Sequence, residues 1–314
     1  MARVNEHVCY ALAGMGLGFL VAKYGITWYA SSPRRTREET APREQSLKSR
    51  LAVETPITDA VSDVPICTPV RTVLLLFAME EEAAPFITTH GWTHIPNNPF
   101  GPLPFESYTG YCGDMKVYLT WAGTDKRFKV NNVATTAATL SCYASLQAFS
   151  GIDVIISAGT AGGFSSAGGE IADVYLSSKC VFHSRRIQGV VGYEEYGFGH
   201  FRNAPLELLA DATGCKVGVV STSDSLDHTP KDLQIMRNEG ASVKEMEGAA
   251  IAWVAQQLSV PFFCVKSITD IVDGGTPSHI EFERNLKASS DMLQLKLSLI
   301  LRKMAGKALS AWSS

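Results

Sequence analysis

The chain has 314 residues, of which 46% are hydrophobic and 19% are charged, so it is long enough for one large domain or two smaller ones and has an ordinary globular composition. Its formal net charge of −3 leaves no basic excess for a nucleic-acid surface. The seven cysteines form no C-x-x-C pair, which excludes a disulfide framework and indicates a reducing compartment for the folded part. The histidines show no metal-ligand spacing, so we expect no metal site.

Residues 1–30 are predicted to be a separate hydrophobic segment. Residues 8–22 are uninterrupted apolar or small residues, and the run continues after Lys23 to Ala30. One lysine in a stretch of membrane-spanning length can extend its ammonium to the interface. The basic run PRRTRE that follows would hold that flank on the cytoplasmic side. The segment therefore predicts either a membrane anchor or a cleaved targeting leader, with YASSP as the cleavage zone.

Residues 31–70 are predicted to be a flexible linker, because they are polar, charged and punctuated by prolines. A domain with strands alternating with helices is predicted from residue 71 to the C-terminus. Its predicted strands are residues 71–79, 115–123, 153–164, 216–227 and 261–274. Its predicted helices are residues 130–149, the segment from Glu247 to Leu258, and residues 278–304. Apolar strands in this alternation predict an α/β fold around a mostly parallel or mixed sheet.

Polar residues and glycines follow the ends of several predicted strands, where α/β folds bind their ligands. The first strand is followed by three glutamates, residues 80–82, and the strand that ends near residue 164 carries a glycine-rich turn. The ends of the last two predicted strands bring further hydroxyls and carboxylates: Asp224, Ser225, Asp227, Thr269, Asp270 and Asp273. No basic clamp accompanies them.

Each of these signals has a simpler explanation when it is taken alone. Acidic residues in the first turn of a helix complement the helix dipole. The turn GTAGGF lacks the G-x-G-x-x-G and G-K-[ST] patterns of phosphate-binding loops. Glu245 and Glu247 fit charges at the start of a helix, although Gly248 and two alanines directly after them would let a ligand approach. Together, the strand ends predict a pocket that uses carboxylates for acid–base chemistry and for binding hydroxyl groups.

Five motifs in this domain resemble a known family in order and spacing: FAMEEEAAPF, ISAGTAGGF, STSDSLD, KEMEGAAIA and KSITDIVDG. The chain resembles the 5'-methylthioadenosine/S-adenosylhomocysteine nucleosidases of the nucleoside phosphorylase/nucleosidase superfamily. VFHSRRI and DSLD resemble the plant-type branch in particular. The resemblance covers about residues 71–304 and implies a three-layer fold, with a central mixed sheet flanked by helices.

The resemblance implies two catalytic carboxyl groups and a carboxylate for the sugar. Glu82 would be the general base that activates water, and Asp270 the acid that protonates adenine N7. Glu247 would hold the ribose hydroxyls, with Met246 packed against the sugar and Glu245 nearby. The other substrate-contacting positions implied are Thr160 and Gly162 on the ribose and water side, Ser225, Leu226 and Asp227 at the purine, and the two lysines Lys244 and Lys266. Bacterial members carry arginine at the position of Lys266.

The implied reaction is hydrolysis of the N-glycosidic bond of 5'-methylthioadenosine to adenine and a 5-thioribose product, in methionine salvage and purine nucleoside catabolism. S-Adenosylhomocysteine is a second candidate substrate. A phosphate-dependent phosphorylase is the main alternative. Related phosphorylases carry an arginine where this chain has Ser157, and Glu82 would repel phosphate. A non-catalytic nucleoside-binding or storage protein is a second alternative, and the joint presence of Glu82, Glu247 and Asp270 argues against it.

The resemblance also implies that no cofactor is needed, that the substrate is a small nucleoside, and that the chain forms a homodimer. Membrane contact is expected only through residues 8–30. The catalytic domain would then face the cytoplasm, or a cleaved leader would direct it to an organelle. The segment GGTPSHIEF, residues 274–282, does not reproduce the aromatic pattern of the bacterial members. Acceptance of the larger homocysteine group is therefore left open.

Overall fold

A computed structural model describes residues 17–22, 25–30, 67–204 and 206–313. Near the N-terminus, strands β1 (Leu17–Ala22) and β2 (Gly25–Ala30) form an antiparallel pair. This pair belongs to a unit spanning Met1–Thr58, and the elements below belong to a second unit, Asp59–Ser314. The remainder of the predicted anchor or leader and most of the predicted linker lie outside the described residues. Among the described helices, none has both the length and the apolar character needed to cross a bilayer.

The second unit is built on a sheet of ten strands within the described residues. The strands are β3 (Thr72–Phe77), β4 (Thr93–His94), β5 (Glu106–Cys112), β6 (Met115–Trp121), β7 (Val154–Gly163), β8 (Val174–Phe182), β9 (Phe201–Arg202), β10 (Lys216–Thr222), β11 (Ala241–Glu245) and β12 (Phe262–Ile271). Their order is β11-β10-β8-β12-β7-β3-β6-β5-β4, and β9 pairs with β8. The sheet is mixed: β3 is parallel to β6 and β7, whereas β5 is antiparallel to β6.

The sheet also curls back on itself. Strand β11 pairs with β10 along one side and with β7 on the other, where Val243 lies opposite Gly163 and Lys244 opposite Gly162. Strands β7, β12, β8, β10 and β11 thereby form a closed ring of pairings. Closure removes an exposed strand edge and brings the ends of β7, β11 and β12 together.

Helices cover both faces of the sheet. They are α1 (Glu80–His90), α2 (Ala134–Ala148), α3 (Tyr193–Phe198), α4 (Glu207–Thr213), α5 (Pro230–Asn238), α6 (Gly248–Gln257) and α7 (Ser278–Met304). Along β3, Val73 and Leu75 pack in the core cluster that contains residues of α1 and α7. Leu74 and Leu76 pack in the cluster that contains residues of α2 and α6. Burial on both faces explains why this strand is an uninterrupted apolar run.

The predicted three-layer α/β fold with a mixed central sheet is confirmed. Each predicted strand is present with shorter bounds, but the sequence patterns did not reveal β4, β5, β8, β9 or β11. Residues that precede the predicted helix at Glu247 form β11, and α6 begins at Gly248. Helix α2 begins at Ala134, later than predicted, because residues 130–132 pair with residues 123–125: the N–H of Asp125 donates to the carbonyl of Val130, and the N–H of Asn132 donates to the carbonyl of Gly123.

Candidate active site

A cavity of about 250 Å³ lies where the carboxyl ends of β7, β11 and β12 meet the start of α1. Ligands of α/β folds bind at such strand ends. The lining residues are Ala78, Met79, Glu82, Val133, Thr160, Ala161, Gly162, Leu226, Lys244, Glu245, Met246, Glu247, Thr269, Asp270 and Phe282. The cavity thus combines carboxyl groups with apolar walls, which suits a ligand that is part sugar and part aromatic base.

Glu82 is held at the first turn of α1 by β7. One carboxylate oxygen accepts hydrogen bonds from the backbone N–H (2.6 Å) and the hydroxyl (2.7 Å) of Thr160. The other accepts the backbone N–H of Met79 at 3.2 Å. A side chain at Gly159 would start 3.0 Å from the carboxylate, so the glycine leaves it room. Burial raises the pKa of Glu82, although Lys266 and Thr160 oppose the shift, and the group is therefore suited to accept a proton.

Asp270 lies at the end of β12, directly opposite Gly162 of β7. The register of the two strands shifts between Ile268 and Asp270, and this irregularity redirects the side chains at the strand end. The hydroxyl of Thr269 donates a hydrogen bond of 2.9 Å to Asp270 Oδ1. Burial raises the pKa of Asp270 against hydrogen bonds from Ser278 and Thr269 and against the charge of Lys244. The carboxyl group is thereby suited to carry a proton closer to neutral pH.

Glu245 lines the cavity, but its oxygens are engaged by the protein. It accepts hydrogen bonds from the backbone N–H groups of Glu247 (3.0 Å) and Gly248 (2.7 Å) at the start of α6. The hydroxyl of Thr222 also donates to it, and the ammonium of Lys266 lies 3.0 Å away. Burial alone would raise the pKa of Glu245, yet Lys266, Thr222 and Gly248 hold it below its ordinary value. Glu245 is a buried anion at a helix N-terminus.

Glu247 uses one carboxylate oxygen in a hydrogen bond to the protein backbone, and its other oxygen makes no direct hydrogen bond to Lys266. Its Oε1 accepts the backbone N–H of Ala134, at the start of α2, at 2.9 Å. Its Oε2 lies 3.9 Å from Lys266 Nζ, too far for a direct hydrogen bond. Burial raises the pKa of Glu247 to about 7, opposed by Lys266 and reinforced by Glu245 and Glu82. The backbone of Ala134 is in the left-handed region, with φ of 74°, so the N–H reaches Glu247 at some cost in backbone strain.

The two predicted lysines occupy different places. Lys244 lines the cavity, and its ammonium donates to the carbonyl oxygens of Ser225 (2.7 Å) and Leu226 (2.8 Å). Lys266 does not line the cavity. Its side chain is 2% exposed and borders a separate void of about 10 Å³, together with Glu247 and Ser157.

The remaining predicted positions divide into two groups. Thr160, Gly162, Leu226 and Met246 line the cavity with the carboxyl groups. Ser225 and Asp227 are exposed and border the cavity only through the loop to which Leu226 belongs. Among the described residues, no group of three or more His, Cys, Asp or Glu side chains is arranged to hold a metal ion.

Several lining residues carry no sequence signal of their own. Met79, Val133 and Phe282 form part of the apolar wall of the cavity. The sequence indicated them only by position: Met79 precedes the glutamate run, Val133 precedes α2, and Phe282 ends GGTPSHIEF. The backbone N–H of Ala134 holds Glu247 without any side chain that a motif would show.

The family model of the phosphorylase superfamily matches residues 72–302. The chain is similar to a 5'-methylthioadenosine nucleosidase of Arabidopsis thaliana, with 36% identity over 259 residues, which are 82% of this chain and 96% of the relative. It is also similar to a 5'-methylthioadenosine/S-adenosylhomocysteine nucleosidase of Arabidopsis thaliana, with 38% identity over 77% of this chain and 95% of the relative. The apo structure of an Arabidopsis thaliana 5'-methylthioadenosine nucleosidase matches with a TM-score of 0.75 and 35% identity, over 77% of this chain and 99% of that one.

The matched region contains the whole cavity and the whole ten-stranded sheet of the described residues. These similarities confirm the family and the N-glycosyl hydrolase class that the motifs led us to expect. The chain belongs to the phosphorylase superfamily, in the family of 5'-methylthioadenosine/S-adenosylhomocysteine nucleosidases.

Proposed function

We propose that the chain hydrolyses the N-glycosidic bond of 5'-methylthioadenosine, releasing adenine and the 5-thioribose product. The observation that carries this proposal is the meeting of Glu82, Glu247 and Asp270 in one cavity with apolar walls. The relatives named above support the substrate class. Cleavage builds positive charge on the ribose ring, and buried carboxylates stabilise such charge strongly because water is excluded.

Asp270 acts on the leaving group. Its carboxyl group holds a proton more readily than an exposed aspartate does, because it is buried. Donation of that proton to N7 makes adenine a neutral leaving group. General acid catalysis of this kind contributes roughly 10²–10⁴-fold.

Glu82 acts on the attacking water. Thr160 and Met79 hold its carboxylate in one orientation, so the base needs little rearrangement when it accepts the proton of water. Glu247 binds the ribose hydroxyls through the oxygen that Ala134 leaves free, and Met246 packs beside the sugar. No step requires a cofactor.

Water rather than phosphate is the nucleophile in this proposal. A phosphate dianion needs cationic partners. Among the described lining residues, Lys244 is the cation, and its ammonium is engaged by two backbone carbonyls. The buried Lys266 is paired with Glu245, and position 157 carries a buried, uncharged serine.

An adenine-release assay on the full chain tests the proposal, with 5'-methylthioadenosine and S-adenosylhomocysteine measured side by side. We expect the same rate on 5'-methylthioadenosine with and without phosphate. A strict phosphate requirement would establish the phosphorylase instead, and binding without turnover would establish a nucleoside-binding protein. The ratio of the two rates decides whether the homocysteine group is accepted.

We also propose that the chain forms a homodimer. Exposed apolar side chains collect on α2 and in the segment before it: Phe128, Val130, Val133, Leu140 and Tyr143. Val133 also lines the cavity, so a second copy packed there would adjoin the site. Analytical ultracentrifugation of the wild type and of Tyr143→Glu tests this, and a monomeric wild type would contradict it.

For residues 1–30 we keep the two proposals of a membrane anchor and a cleaved leader. The apolar run at 8–22 and the basic run after residue 32 support both. N-terminal sequencing of the protein from its native source separates them, because an anchor retains the segment and a leader is removed. Fractionation of the same material shows whether the retained segment holds the catalytic domain at a membrane, and protease protection of the intact membranes shows whether the domain faces the cytoplasm.

A further inference from the structure

Lys266 lies between two carboxylates, and the proposed mechanism uses only one of them. Its ammonium is 3.0 Å from Glu245 Oε2 and 3.9 Å from Glu247 Oε2. The side chains of Lys266 and Glu245 are 2% and 1% exposed, whereas that of Glu247 is 12% exposed and borders the cavity. One buried cation is thus shared by two anions, and the shorter contact goes to the anion that the substrate does not need.

One lysine cannot neutralise both carboxylates. Burying an unpaired charge is costly, so ionisation of a second carboxylate beside Lys266 and Glu245 is disfavoured. Thr222 and the backbone N–H groups of Glu247 and Gly248 further stabilise the charge on Glu245. Glu247 has a single backbone donor, from Ala134, and it also faces the carboxyl group of Glu82. The ionised form of Glu247 is therefore the less stabilised one.

We propose that Lys266 and Glu245 are positioning residues that act as a pair on Glu247. The distance between the Lys266 ammonium and the Glu245 carboxylate sets the fraction of Glu247 that is ionised at neutral pH and able to hold the ribose. The proposal rests on the function proposed above. Neither residue needs to touch the substrate for this effect. Lys266 favours the ionised form of Glu247, and Glu245 opposes it both by its own charge and by drawing the ammonium toward itself.

The charges around Glu247 predict opposite effects for the two residues. Burial raises the pKa of Glu247 to about 7. The charge of Lys266 opposes this shift, and the charges of Glu245 and Glu82 add to it. Removing the cation should therefore raise this pKa further, and removing the charge of Glu245 should lower it. Two structural residues of a core would not displace a pH profile in opposite directions.

The test is the pH dependence of kcat/KM for adenine release from 5'-methylthioadenosine by the full chain, since this quantity reports ionisations of the free enzyme. In Lys266→Met we expect the acidic limb to move to higher pH, and in Glu245→Gln to lower pH, each by about one pH unit or more. The amide introduced by Glu245→Gln keeps an oxygen that accepts the N–H of Gly248. Lys266→Arg keeps the charge and should leave the limb in place.

One further variant protects the interpretation. Lys266 also lowers the pKa of Glu82, so a shift in Lys266→Met alone does not identify the group, and Glu245→Gln is the decisive variant. The double variant Glu245→Gln/Lys266→Met removes both charges of the buried pair, and its limb should lie at lower pH than that of Lys266→Met. If either single variant fails to fold, comparison of the double variant with the remaining one still gives the sign.

The matched control is Lys287→Met, which removes a lysine from an exposed pair with Asp291 and should not move the profile. A wild type that releases no adenine would refute the proposed function. The inference about Lys266 and Glu245 would be overturned if the wild type is active and the acidic limb moves in the same direction in both variants, or in neither. The hydrolase assignment would then remain intact.

Discussion

Gly162 and Asp270 face each other across β7 and β12, and a Cβ atom at position 162 would lie 2.9 Å from Asp270 Oδ2. The same atom would lie 2.7 Å from Val272 Cγ2. Real side chains do not approach so closely, and the strand backbone on both sides is buried. The absence of a side chain at position 162 is therefore what allows the acid to occupy its place in the cavity.

We predict that Gly162→Ala displaces Asp270 and lowers kcat by about 10²-fold, because small misplacements of a catalytic group are costly. The matched control is Gly275→Ala, where an added Cβ meets no atom within 4 Å. Steady-state adenine release, with the melting temperature of each variant, checks the prediction. Unchanged turnover in a folded Gly162→Ala would show that the close approach does not matter.

Asp270→Asn is expected to lower kcat by roughly 10²–10⁴-fold, since an amide cannot donate the proton to the purine. The Thr269 hydroxyl can still donate to the amide oxygen, so the melting temperature should stay near that of the wild type. Turnover by Asp270→Asn at the wild-type rate would remove Asp270 from the acid role and point to another donor.

Glu247 should make the protein less stable as pH rises. Its pKa in the folded state, about 7, is above its ordinary value of 4.5, so the folded state binds this proton more tightly than the unfolded chain does. The resulting stabilisation is complete below pH 4.5 and is lost as pH rises through 7. We therefore expect Glu247→Gln to melt at a higher temperature than the wild type at about pH 8, and the difference to vanish as pH falls toward the ordinary pKa of a glutamate. A difference that grows on acidification would contradict the shift.

Lys244→Met should loosen the loop that carries Leu226. Hydrogen bonds to a charged donor contribute about 1.5–3 kcal/mol, and Lys244 makes two to this loop. We expect KM to rise by about tenfold or more, with a smaller change in kcat. The control is Lys216→Met, which removes a lysine bonded to the exposed Gly168 carbonyl. Equal KM values in the two variants would mean that the loop is held by other contacts.

Much of the fold and of the candidate site was predictable from local patterns. The apolar runs of β3, β7 and β12 are strands because both of their faces are buried, and such a run is visible in any chain. Glu82 comes in the first helical turn after β3 and Asp270 lies in the last residues of β12, so their place at one edge of the sheet follows from strand direction alone.

Strand β11 was not predictable in this way. Its segment contains Lys244 and Glu245, which are uncommon in buried strands. The strand is stable because β10 and β7 flank it and because Lys266 and the Ser225–Leu226 carbonyls satisfy its charges. Those partners come from distant parts of the chain.

The sequence by itself determined the family, the alternation of apolar strands with helices, and the carboxyl groups available for chemistry, because these depend on residue types and on spacing along the chain. Only the tertiary structure decided what each charged group does. Glu245 and Glu247 are two residues apart, yet one is tied to Thr222 and Lys266 and the other to the N–H of Ala134. Burial and the nearest opposite charge control ionisation, and both are set by residues that meet only in the folded protein.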